Sequence, residues 1–79
     1  MFLLEEITDL SIKVIDYFGK SIVVEGNVSY VATDSDGSIY SYEVKPQIRN
    51  NNWASYGDEF YVGQCTFQGN WEDSLVRVE

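Results

Sequence analysis

The 79-residue chain contains no histidine, a single cysteine (Cys65) and a single proline (Pro46), and five lysines and arginines stand against thirteen aspartates and glutamates. Without histidine it lacks the commonest general base and metal ligand, and also the usual activator of a serine or cysteine nucleophile. One cysteine excludes an intramolecular disulfide and a cysteine-based zinc site, and suits a reducing, cytoplasmic setting. A net charge of −8 opposes direct contact with DNA or RNA, because such binding rests on basic side chains that release counterions. No apolar run approaches the roughly 20 residues that span a bilayer. The run Phe2 to Leu4 is broken at once by Glu5 and Glu6 without a basic flank, which is not the pattern of a signal peptide. An acidic surface would also be repelled by anionic headgroups, so no membrane partner is expected.

What is present describes a folded domain. Leu, Ile, Val and Phe account for 23 of the 79 residues, above the level at which chains stay disordered, so residues 1–79 are read as one domain. A chain this short buries only roughly 60% of the surface its unfolded form exposes, which leaves little room for an enclosed catalytic chamber. Together with the missing histidine, this argues for a protein that is not an enzyme and needs no cofactor.

Hydrophobic alternation predicts a mainly β fold: an antiparallel sheet or small barrel of about five strands, with an N-terminal helix over residues 3–9 as an α+β alternative. Leu3, Leu4, Ile7, Leu10, Val14 and Phe18 fall at helical spacing, whereas the β-branched residues from Ile12 favour a strand over about 10–17. Gly19 suits a turn into the clearest strand, 22–32, in which Gly26 marks a bulge or bend. Asp34-Ser35-Asp36-Gly37 supplies turn chemistry before a third strand, 39–44, which Pro46 ends. Residues 47–58, rich in asparagine, read as a long loop. A fourth strand over 59–68, a two-residue turn at Gly69-Asn70 and a fifth strand over 71–78 complete the expectation.

Three groups of residues suggest chemistry. Ala32 to Glu43 partly resembles a calcium loop, with Asp34, Asp36, Gly37 and Glu43 at ligand or turn positions, but Ala32 offers no side-chain oxygen at the first position. No metal is therefore expected, and Asp34 and Asp36 read more simply as turn residues that accept from nearby amides. The carboxylate pairs Glu5-Glu6, Asp58-Glu59 and Glu72-Asp73 could in principle serve glycoside hydrolysis, yet neighbours on a strand point to opposite faces and no cleft is available to raise one pKa. Twelve aromatics exceed what one small core needs, and Trp53 and Tyr56 lie in a polar segment, either as an exposed anchor or, for Trp53, as a lid over the sheet.

The acids run along the whole chain, seven against two bases in residues 1–40 and six against three in residues 41–79. Such a surface favours solubility, and it also complements a basic groove by imitating nucleic-acid phosphates. The expected function is that of a small acidic inhibitor that occludes the basic, nucleic-acid-binding surface of a partner protein. In size, charge and lack of catalytic groups the chain is similar to phage anti-defence proteins, such as anti-CRISPR inhibitors, and to toxin-immunity proteins. The alternative is an adaptor or assembly subunit that binds through an exposed aromatic patch. The expected partner-binding residues are Trp53, Tyr56, Asp58 and Glu59, with Asp34, Asp36, Glu72 and Asp73 on hairpin tips as a second set.

Overall fold

The computed structural model describes residues 12–78. Their architecture is mainly β and antiparallel throughout: β1 (Ile12–Tyr17), β2 (Lys20–Glu25), β3 (Tyr30–Thr33), β4 (Ser38–Tyr42), β5 (Gln47–Arg49), β6 (Asn52–Ala54), β7 (Glu59–Gln64) and β8 (Val76–Arg77). The described strands are more numerous and shorter than the alternation suggests. They form a central open sheet in the order β7-β4-β3-β8 and two separate hairpins, β1-β2 and β5-β6, rather than a closed barrel. The expected helix over 3–9 lies outside the described residues.

The first hairpin follows from its turn. Phe18 and Gly19 both have positive φ, +52° and +85°, which matches the twist of a two-residue connection, and the register closes on Tyr17 opposite Lys20. The predicted strand 22–32 is in fact two strands. At Gly26-Asn27 the chain turns, the Val28 amide donates to the Glu25 carbonyl at 3.3 Å, and Val28 is buried where an uninterrupted strand would have continued. This break sends β2 to the hairpin and β3 to the central sheet.

The β3-β4 turn is built as its sequence indicates. Gly37 has φ +92°, its amide donates to the Asp34 carbonyl, and a Cβ there would lie 2.1 Å from the carbonyl oxygen of Cys65. Only glycine satisfies both the backbone angle and that close approach.

Residues 47–58 hold a second hairpin inside the predicted loop. Asn50 and Asn51 adopt φ of +53° and +69°, a left-handed pair that asparagine tolerates, and Ile48 pairs with Trp53 across the turn. The expected turn at Gly69-Asn70 joining two adjacent strands does not form either. Asn70 caps a short 3-10 turn (Trp71–Asp73), its side chain accepting from the Glu72 amide, and the chain crosses the sheet so that β8 pairs with β3. The fifth strand is reduced to Val76–Arg77, and the fourth ends at Gln64.

Two packed layers follow from the alternation of β3 and β4. Val31, Thr33 and Ile39 face the β1-β2 hairpin, where Tyr17 and Val24 meet Val28 and Val78. Tyr30, Ala32, Tyr40 and Tyr42 face the other way, under Trp53 of β6 and Trp71 and Leu75 of the C-terminal crossing. A buried polar knot ties the layers together. The Tyr17 hydroxyl lies 2.7 Å from Thr33 Oγ1 and donates to the Ser74 carbonyl at 3.0 Å. Ser74 Oγ accepts from the Thr33 amide at 2.8 Å and donates to its carbonyl at 3.1 Å. The Ser74 side chain thus satisfies the backbone of β3 beyond the reach of two-residue β8.

Candidate functional site

The predicted partner-binding residues fall at two ends of the central sheet. Ser38 pairs with Gln64 at one end of the β4-β7 ladder and Tyr42 with Glu59 at the other, so Asp36 and Glu59 are separated by roughly 20 Å of strand. Asp34 and Asp36 share the first end with the 3-10 turn that carries Glu72 and Asp73; Asp34, Asp36 and Trp71 line one hollow of about 260 Å³. Tyr56, Asp58 and Glu59 share the opposite end, where the Glu43 amide donates to the Asp58 carbonyl. Asp36, Asp58, Glu59, Glu72 and Asp73 are exposed, and Asp34 is half-buried.

Trp53 is the main correction. It is 8% exposed, packs on Ala32 and Tyr42, and meets Trp71 edge-on with ring centroids 6.3 Å apart. It is therefore the lid over the sheet and not an exposed anchor, because β6 aims its side chain inward once residues 47–54 fold as a hairpin. Tyr56 is 96% exposed and takes the outward position alone.

The turn acids have identifiable structural tasks. Asp36 Oδ1 accepts from the Ser38 amide at 2.9 Å, and this bond holds its carboxyl below the usual range. Asp34 Oδ1 accepts from the Trp53 amide at 2.9 Å, fastening β6 to the end of β3. Burial pushes the Asp34 carboxyl up, opposed by that bond and reinforced by the nearby Asp36 charge. Glu43 sits past the far end of β4 and hydrogen-bonds Asn27. Of the three carboxylates of the partial calcium-loop pattern, Asp34 and Asp36 thus share one turn while Glu43 lies at the other end of β4, and no group of three or more metal-ligating side chains occurs among the described residues. Cys65 is half-buried against the first core and borders an apolar hollow of about 280 Å³ with Phe18 and Phe67.

A groove that the sequence reading passed over lies on the outward face of the β5-β6 hairpin. Lys45, Gln47 and Arg49 line one side, Ala54, Ser55 and Tyr56 the other, with Val44 at its end, around about 270 Å³. Its signal was the alternate spacing of Lys45, Gln47 and Arg49, which places them on one face only if the segment is extended. Ser55 donates its hydroxyl to the Val44 carbonyl at 2.8 Å and accepts from the Gly57 amide at 3.2 Å, fixing the wall that carries Tyr56. Comparison with family models, curated proteins and solved structures finds no match to this chain.

Proposed function

We propose that this chain is a non-enzymatic binding protein whose acidic sheet ends occupy a basic, nucleic-acid-binding surface of a partner protein. The observation that carries the reading is the presentation of exposed carboxylates at both ends of one hydrogen-bonded sheet, Asp36, Glu72 and Asp73 at one and Asp58 and Glu59 at the other. Acids held on a rigid frame complement a cationic groove without the ordering cost of a flexible acidic tail. In size, charge and lack of catalytic groups the chain is similar in kind to phage anti-defence and toxin-immunity proteins, which supports this reading.

The exposed Tyr56 favours a second reading, an adaptor held by an aromatic contact. Two variants separate them in a capture experiment with extract from the source cell. Under the first reading, captured protein is released by added nucleic acid and is lost when Asp58, Glu59, Glu72 and Asp73 are changed together to Asn or Gln. Retention by that variant, with loss on Tyr56→Ala and no competition by nucleic acid, would establish the adaptor instead.

A further inference from the structure

We infer that the groove on the outer face of the β5-β6 hairpin is a second binding surface of opposite preference, which takes a short extended acidic segment of a protein. The inference does not rest on the acidic reading above. Of the five basic side chains, Lys13 donates to the Val28 carbonyl at 2.9 Å, Arg77 is also engaged and Lys20 borders the apolar hollow beside Phe18 and Phe67, whereas Lys45 and Arg49 line one groove. A molecule of net charge −8 thereby keeps one locally cationic channel.

The groove is also built to hold shape. Pro46 between the two polar positions is fully buried, which fixes the row of Lys45, Gln47 and Arg49. A Cβ at Gly57 would come within 2.8 Å of Val44 Cγ2, so the Tyr56-Gly57 turn presses directly on the end of the channel. Tyr56 then stands exposed on one wall, with Ala54 beside it and Val44 at the end as apolar lining.

Ligand chemistry follows from spacing and field. Arg49 ends β5 and Lys45 lies two residues before its start, so an extended course separates them by about 13 Å, while alternate side chains of an extended peptide recur about every 7 Å. Carboxylates four residues apart, with a small apolar residue midway on the same face, meet both cations and the apolar lining of Val44 and Ala54. A long polyanion such as single-stranded nucleic acid also suits a cation beside an aromatic ring, but beyond the groove it would run over acidic surface.

Fluorescence anisotropy of the whole protein with a labelled peptide of Glu-Ser-Val-Ser repeats, which in extended form puts glutamates four residues apart with valine midway on the same face, tests this. Binding is expected to weaken by about tenfold in the double variant Lys45→Ala/Arg49→Ala and in high salt, and also to weaken in Tyr56→Ala. Both cations are exposed, so an unchanged circular-dichroism melt should show that the variants still fold. Absence of peptide binding, equal binding by the double variant, or tighter binding of oligothymidylate than of the peptide would each overturn the assignment. Self-association that the double variant abolishes would do so too, by giving the groove to a second copy.

Discussion

The hydroxyls of Tyr17 and Tyr42 are both buried, but their surroundings differ. Tyr17 bridges Thr33 and Ser74, whereas among the described residues the hydroxyl of Tyr42 and the indole N–H of its neighbour Trp53 find no hydrogen-bond partner. Burial pushes both phenols above their ordinary pKa, and for Tyr42 the charges of Asp34 and Glu59 add to it. Removing a satisfied hydroxyl strands its partners, so Tyr17→Phe should lower stability by about 1 to 2 kcal/mol. Removing an orphaned one relieves a desolvation cost, so Tyr42→Phe should raise stability by about 1 kcal/mol. Urea unfolding of the two variants measures the contrast directly. Asp34 provides a pH test at the same scale. Its folded-state pKa is raised by burial, so the associated stability is fully present below the unfolded-state pKa and is lost as pH rises through the folded-state value. Asp34→Asn keeps an oxygen for the Trp53 amide and should abolish that loss of stability as pH rises above the ordinary aspartate range, whereas Asp34→Ala should lose about 1 to 2 kcal/mol through the broken bond.

At the scale of elements, the β5-β6 hairpin decides where Trp53 points, and its two-residue turn decides the hairpin. Asn50 and Asn51 both carry positive φ, which a β-branched residue adopts only with strain. Asn51→Gly should be neutral or stabilising, and Asn51→Val should destabilise by about 1 to 2 kcal/mol, with a matching loss of near-ultraviolet signal as Trp53 and Trp71 separate. Hairpins whose turns carry strong local chemistry were legible in the sequence: Phe18-Gly19 and Asp34 to Gly37 both reverse the chain where their composition indicates. The β5-β6 hairpin was hidden because each strand has three residues and a polar composition, too short for alternation to stand out from a loop. The same limit misplaced Trp53, since its burial depends on Tyr42, Trp71 and Asp34, all distant along the chain. The crossing after Gln64 was equally illegible, because Gly69-Asn70 fits a hairpin turn and a helical cap alike, and only pairing of β8 with β3 decides between them. The acidic residues of the candidate site were readable as turn or tip residues, but their grouping at two ends of the sheet depends on register.

For the whole molecule, charge acts on stability and on association in opposite directions as salt changes. A net charge of −8 on a chain of this size means that the folded state holds carboxylates closer together than the unfolded chain does, so self-repulsion opposes folding. Raising ionic strength from about 0.01 M to 0.15 M shortens the screening length from about 30 Å to about 8 Å, below the roughly 20 Å between the two acidic ends. The melting temperature should therefore rise over that range, and the rise should shrink when Asp58, Glu59, Glu72 and Asp73 are neutralised together. Association with a basic partner should instead slow over the same range, because the field that steers the encounter is screened while the apolar contacts are not. Neutralising Asp58 and Glu59 should slow association chiefly at low salt and leave dissociation nearly unchanged, since both are exposed rather than desolvated in the free protein. Stopped-flow association rates at several salt concentrations, measured beside the melting curves, decide the matter: a rate insensitive to salt and to these substitutions, in a protein whose stability still responds to salt, would mean that the acids serve the isolated domain and that recognition rests on Tyr56.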